Sequence, residues 1–155
     1  MTRAYLSLGS NLGDRGAHLR LGVEMSARGE PHRVSRVYRS EPVGGVAQED
    51  FWNLVLEVTT TATPEALLAR ARDAEDAAGR VREVRWGPRT LDVDIVWVEG
   101  VTRDDEELTL PHPRAFERRF VLVPWRELRD DLVSEEDVAR AGGGLSVLGT
   151  LETLH

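Results

Sequence analysis

Asp92 and Asp94 stand two residues apart in a segment that continues Ile95-Val96-Trp97-Val98, a β-branched and aromatic run that reads as a strand. Residues i and i+2 of a strand share a face, roughly 6.5 Å apart along the backbone. Two carboxylates on one face, with Leu91, Val93 and Ile95 turned the other way into a core, can hold one or two divalent cations. Two metals about 3.5–4 Å apart clamp the attacking and leaving oxygens of a phosphoryl transfer. Just upstream lie Arg80, Arg82, Arg85 and Arg89, whose planar guanidinium groups can each hold two phosphate oxygens at once. Carboxylates for magnesium beside arginines for phosphate point to a nucleotide-dependent transferase. The bland alternative is a surface strand whose acids pair with nearby arginines. A bare Asp-x-Asp favours that alternative until its context agrees.

These side chains need elements to position them. Residues 3–8 alternate as a first strand and run into a Gly9-Ser10-Asn11 turn. Asp14 is placed to cap a helix over residues 15–28, where Leu19, Val23 and Ala27 recur at helical spacing, and Gly29 closes it. Residues 33–39 read as a strand, and residues 51–60 as an apolar, β-branched central strand. Thr63-Pro64-Glu65 is helix-start chemistry with proline at the first position, and the Ala-rich helix ends at Gly79. An Arg-rich loop over residues 80–89 then leads into the Asp-x-Asp strand. The order βαββαβ predicts an α+β fold, a ferredoxin-like antiparallel sheet with its helices on one face. C-terminal extensions follow: a short strand at residues 108–110, then a short helix and an apolar segment within 113–128. A further helix starts after Ser134, and a weak strand or frayed end follows Gly142, Gly143 and Gly144. Without an internal repeat or a convincing linker, residues 1–155 read as a single domain.

Bulk properties narrow the class. A 155-residue chain with 41% hydrophobic and 30% charged residues is an ordinary globular composition. No apolar run approaches the roughly 18 residues of a membrane span, and the first residues lack a long apolar leader. Zero cysteines exclude disulfides and thiolate chemistry and suit a cytoplasmic protein. The net charge of −7 argues against a nucleic-acid partner. It is a weaker objection to ATP, because acids concentrate at residues 104–107, 130–131 and 135–137, away from the arginine-rich centre.

Five segments carry a resemblance. They are Ala4-Tyr5-Leu6-Ser7-Leu8-Gly9-Ser10-Asn11-Leu12-Gly13-Asp14, Tyr38-Arg39-Ser40-Glu41-Pro42-Val43, Asp50-Phe51-Trp52-Asn53, the decapeptide from Trp86 to Ile95, and Leu110-Pro111-His112-Pro113-Arg114 leading into Glu117-Arg118-Arg119-Phe120. In order and spacing the chain resembles the 6-hydroxymethyl-7,8-dihydropterin pyrophosphokinase family of folate synthesis, over roughly residues 3 to 128. The resemblance implies the ferredoxin-like core. It also implies transfer of the β,γ-pyrophosphoryl unit of ATP to the dihydropterin hydroxymethyl group, with Mg2+, two ions, as cofactor. Its implied metal ligands are Asp92 and Asp94. Arg82 and Arg89 would assist transfer. Glu75, Arg80, Trp86, Ile95, His112 and Arg118 would join them around ATP. Around the pterin it implies Ser40, Val43, Phe51, Asn53, Trp86, Asp92 and Phe120, the two phenylalanines as a sandwich and Trp86 on a closing loop; Asn11 stands at the pocket edge.

Some positions depart from relatives. Arg72 stands where some carry glutamine, Glu83 where some are basic, and the loop between Arg80 and Trp86 is one residue shorter. The expected partners are ATP and the pterin alone, with no nucleic acid or membrane, on a monomer or weak homodimer. Three other readings compete with this one. A non-catalytic ferredoxin-like small-molecule sensor explains fold and aromatic pocket, but not the aspartates and arginines together. An RNA-binding sheet expects a Gly-aromatic strand motif and a basic face. A one-phosphoryl kinase of the Gly-x-x-x-x-Gly-Lys type lacks its loop.

Overall fold

The alternating apolar stretches at residues 2–10 and 51–60 become the two central strands of one antiparallel sheet. The computed structural model describes residues 1–42, 48–79 and 90–154. Strand β1 (Thr2–Ser10) pairs along its length with β4 (Phe51–Thr60), and on its other side with β5 (Asp92–Val98). Beyond β4 lie β2 (His32–Val34) and β3 (Val37–Ser40), and β3 in turn pairs with β8 (Leu145–Gly149) near the C-terminus. The path β5-β1-β4-β3-β8 contains the ferredoxin-like order expected from βαββαβ.

The strand expected over residues 33–39 is two strands, and Ser35 is the reason. Its hydroxyl accepts the Val55 N–H at 2.9 Å, while its own N–H donates to Val55 O at 2.9 Å. A side chain thereby replaces a carbonyl in the ladder, and pairing with β4 restarts at Tyr38.

Helix α1 (Arg15–Ala27) begins where Asp14 accepts the Ala17 N–H at 3.0 Å, and ends as Arg28 and Gly29 turn to φ of 50° and 76°. Helix α2 (Pro64–Ala77) is capped by Thr63, with proline in its first turn. Leu19, Val23 and Ala27 of α1 and Leu67, Ala71 and Ala74 of α2 join Leu6, Leu8, Leu54, Leu56, Val93 and Ile95 in the larger core. Both crossover helices thus cover one face, as the topology requires.

The second face also carries apolar side chains, Tyr5, Val55 and Val96, and the C-terminal extension covers them. Two short strands, β6 (Arg103–Asp104) and β7 (Thr109–Leu110), lead to a 3-10 turn at Ala115–Glu117 and then to α3 (Arg119–Leu128). The apolar segment expected after a short helix is this ten-residue helix itself. Val121, Leu122 and Trp125 seal Tyr5, Val55 and Val96 from water. Helix α4 (Glu135–Arg140) starts from a reciprocal cap between Ser134 and Asp137. Among the described residues, no helix is long and apolar enough to cross a membrane.

Candidate active site

Period-two alternation sorts the side chains of β5. Val93 and Ile95 enter the helix-covered core, while Asp92 and Asp94 line a cavity of about 600 Å³ on the opposite face. Four adjacent strands form its floor: Asp92 and Asp94 on β5, Ser7 and Gly9 on β1, Phe51 and Asn53 on β4, and Ser40 on β3, with Glu41 just after it. Arg114, Glu117, Arg118, Phe120, Gly142, Gly143 and Gly144 close it from the extension. From β5 to β3 is three strand spacings, about 14 Å. The cavity therefore has a carboxylate end and, across the sheet, an aromatic and amide end.

At the second end Asn53 is only 2% exposed. Its Nδ2 donates to Ser40 Oγ at 2.8 Å and to Tyr38 O at 3.3 Å. The described residues thus engage the amide's donor side, and among them none donates to Oδ1, which can accept from a heterocyclic N–H or amino group. Gly9 faces Asn53 across the β1–β4 ladder, and a Cβ there would lie 3.1 Å from Asn53 Oδ1. Only glycine leaves the amide undisturbed. Phe51 and Phe120 bring aromatic rings from β4 and α3 to the same cavity, and the Arg118 guanidinium lies 5.7 Å from the Phe120 ring centroid. Asn11, 1% exposed, donates to Gln48 Oε1 at 2.8 Å and Glu49 O at 2.9 Å, while Arg15 donates to Asp50 O at 2.8 Å. These bonds fix the chain entering β4, and with it Phe51.

At the carboxylate end the Val93 N–H, between the two aspartates on the outer strand, donates to Glu75 Oε2 at 3.0 Å. Glu75 is 6% exposed and does not line the cavity; in this arrangement it braces the strand that carries the acids. His112 donates its backbone N–H to Val96 O at 2.8 Å, and its Nδ1 faces the Arg114 N–H at 3.1 Å. A backbone amide only donates, so Nδ1 accepts and the ring proton of the neutral imidazole sits on Nε2. Burial pulls the His112 pKa below the ordinary histidine value; the Asp94 carboxylate opposes this, and the Arg118 and Arg114 guanidinium groups reinforce it. His112 is therefore a neutral N–H donor near pH 7.

Of the residues expected at the site, the fold brings Ser40, Phe51, Asn53, Asp92, Asp94, Arg118 and Phe120 to one cavity. His112 stands beside it, within electrostatic reach of Asp94. The Ile95 side chain is 3% exposed in the core and turned away from the cavity, leaving its backbone as the part able to meet a ligand. Val43, Arg80, Arg82, Trp86 and Arg89 lie outside the described residues, as does Glu83. Sequence reasoning passed over Ser7, Glu41, Arg114, Glu117 and the three glycines, and left Gly9 without a role. Arg114 lay within the quoted Pro-His-Pro-Arg motif, and the triple glycine was visible as a run. Neither carried a signal for which side of the sheet it would meet.

Comparison with known proteins assigns the chain. Residues 5–130 match the family model of 7,8-dihydro-6-hydroxymethylpterin-pyrophosphokinase (HPPK). A 2-amino-4-hydroxy-6-hydroxymethyldihydropteridine pyrophosphokinase of Methylorubrum extorquens is 46% identical over 143 residues, 90% of each chain. The Bacillus subtilis protein of the same name is 42% identical over 135 residues, 85% of this chain and 81% of its own. That of Mycobacterium bovis is 48% identical over 140 residues, 81% of this chain and 71% of its own. A Plasmodium falciparum HPPK-DHPS crystal structure superposes with TM-score 0.55 at 14% identity, over 83% of this chain and 40% of that one, a likeness of fold alone. The match to the family model, carried through most of its length, places the chain in the 7,8-dihydro-6-hydroxymethylpterin-pyrophosphokinase family.

Proposed function

We propose that this chain moves the β,γ-pyrophosphoryl unit of ATP to the hydroxymethyl oxygen of 6-hydroxymethyl-7,8-dihydropterin. The products are AMP and the dihydropterin diphosphate, a step of folate biosynthesis. One observation carries the reading: a single cavity joins the paired carboxylates Asp92 and Asp94 to the Phe51, Asn53 and Phe120 group across the sheet. The first end suits a metal-bound polyphosphate and the second a flat, hydrogen-bonding bicycle. A sensor without chemistry is not favoured, since the family and its named relatives are pyrophosphokinases.

Each residue then has a task. Phe51 and Phe120 hold the pterin by its faces, and an aromatic pair of this kind adds about 0.5–1.5 kcal/mol beyond burial. Asn53 Oδ1 takes a ring-edge donor, and Ser40 fixes the amide that does so. The hydroxymethyl group then points along the floor toward Asp92 and Asp94. His112 Nε2–H and the Arg118 guanidinium meet phosphate oxygens, and Arg80, Arg82 and Arg89 are the further cations of this reading. Trp86 closes over the reactants, which excludes water and strengthens the charges inside.

Magnesium fits the donor set. Asp92 and Asp94 offer hard carboxylate oxygens on one face, and among the described residues no third acidic or imidazole side chain joins them in a protein-only cage. Such a pair suits an ion that takes its remaining ligands from phosphate and water. When bound, Mg2+ supplies neutralisation of the phosphate charge and alignment of the β-phosphorus. We read residues 1–155 as one cytoplasmic pyrophosphokinase unit, monomeric or weakly dimeric, with ATP and the pterin as its partners.

The test is phosphorus NMR of purified protein with ATP, Mg2+ and 6-hydroxymethyl-7,8-dihydropterin. AMP and a pterin diphosphate are expected. ADP with a pterin monophosphate, or no pterin-dependent turnover, overturns the proposal.

A further inference from the structure

The cavity is completed by residues outside the stretch that matches the family model. That match ends at residue 130, yet Gly142, Gly143 and Gly144 line the cavity. Two attachments locate them. Gly142 forms a bridge with Arg118 on the roof, and immediately after Gly144, Leu145 of β8 pairs with Ser40 of β3. The segment therefore runs from the roof to the β3 edge and walls the end of the cavity remote from Asp92 and Asp94.

Arg119 holds it there. Its backbone N–H donates to Gly142 O at 3.3 Å, and its guanidinium donates to Gly143 O and to Val138 O, each at 3.2 Å. Gly142 N–H returns a bond to Glu117 O at 3.4 Å. This one arginine joins the first turn of α3, which carries Phe120, to the chain leaving α4. A Cβ built on Gly142 or Gly144 meets no atom within 4 Å, so packing does not demand glycine at either position.

We propose that Arg119 is a positioning residue that holds residues 142–144 as the end wall of the heterocycle pocket. This wall determines which bicyclic edge the pocket admits, and its bare backbone leaves room for a substituent on the ring edge remote from the hydroxymethyl group. The inference rests on the pterin reading above and deepens it. A tail that only extends the sheet edge predicts no selective effect on the heterocycle.

The test uses the full chain and its variants Gly144→Val, Gly144→Ala and Arg119→Ala, with Arg119→Lys as the conservative control. Two ligands are titrated separately: 6-hydroxymethylpterin by its fluorescence, and a non-hydrolysable ATP analogue with Mg2+ by calorimetry. A thermal melt reports the fold of each variant. Added methyl groups in a pocket cost about 10–200-fold each in discrimination. Gly144→Val is therefore expected to weaken pterin binding at least tenfold and Gly144→Ala by less. Arg119→Ala should weaken it severalfold and Arg119→Lys in part restore it, with the ATP analogue bound as by wild type throughout. Equal losses for both ligands, or pterin binding unchanged in folded Gly144→Val and Arg119→Ala, overturn the inference while wild-type turnover leaves the pyrophosphokinase reading standing. A wild-type protein that neither binds the pterin nor turns it over overturns both.

Discussion

Gly9 and Asn53 meet side by side on neighbouring strands, and the missing Cβ of one preserves the amide of the other. Gly9→Ala forces Asn53 to give by a few tenths of an ångström, since the new carbon would stand 3.1 Å from Oδ1. Misplacement by 1 Å costs about 100-fold in well-aligned sites, so a loss of about tenfold in pterin affinity is expected with ATP affinity retained. Separate titrations of the two ligands check it; equal loss of both would refute the pocket assignment. Asp92→Asn and Asp94→Asn keep the side-chain volume and remove the charge. Each is expected to melt near wild type and to lose at least about 100-fold in turnover, with the deficit moved but not abolished by raising Mg2+ in an AMP-release assay. The two acids were legible in the sequence because the period of a strand fixes a face without any tertiary information. Gly9 was not, because its reason lies on β4, more than forty residues away.

Element by element, legibility follows the range of the interaction. Both crossover helices could be read from local chemistry: Asp14 and Thr63 as caps, Pro64 in the first turn, Leu19 and Val23 on the core side. The placement of α3 on the opposite face could not, because it depends on Tyr5, Val55 and Val96 presenting an apolar surface to be covered. A polar cluster centred on the buried Tyr5 and Glu57 pins the far end of α3 to that surface. Tyr5 donates to Glu57 Oε2 at 2.6 Å and accepts from Arg129 at 2.8 Å, while Arg33 holds Glu57 through two bonds of 2.9 and 2.8 Å. Burial, helped by the bond to Glu57, pushes the Tyr5 pKa from 10 up to about 12. A tyrosine that keeps its proton longer when folded stabilises fully below the unfolded value and loses that contribution as pH rises through the folded one. Stability is therefore expected to fall between pH 10 and about 12, by on the order of 2 kcal/mol. Tyr5→Phe should be less stable at pH 8 and lack that share of the alkaline fall. Urea titrations of both proteins across this range decide it, and an unchanged alkaline limb in Tyr5→Phe would remove Tyr5 as its cause.

The whole molecule carries a net charge of −7, yet the reading requires it to bind a polyphosphate. Charges add over distance, and at physiological salt the screening length is about 8 Å, shorter than the site itself. What ATP meets is thus the local set. Arg114 and Arg118 line the cavity that holds Asp92 and Asp94, whereas Arg103 and Arg129 already pair with acids elsewhere, at Glu65, Asp105 and Asp131. Composition alone could not separate these two scales; the placement of Arg114 and Arg118 on the cavity roof does. The consequence has a sign. If net charge governed, added salt would relieve repulsion and tighten ATP binding. With local cations governing, salt screens an attraction. Raising NaCl from about 0.05 to 0.5 M, which shortens the screening length roughly threefold, should weaken the Mg2+–ATP analogue severalfold by calorimetry at saturating free Mg2+. Binding of uncharged 6-hydroxymethylpterin should stay nearly constant across the same series. A nucleotide affinity that rose with salt would mean that the acidic surface, rather than the arginine-bordered cavity, sets the field the substrate feels.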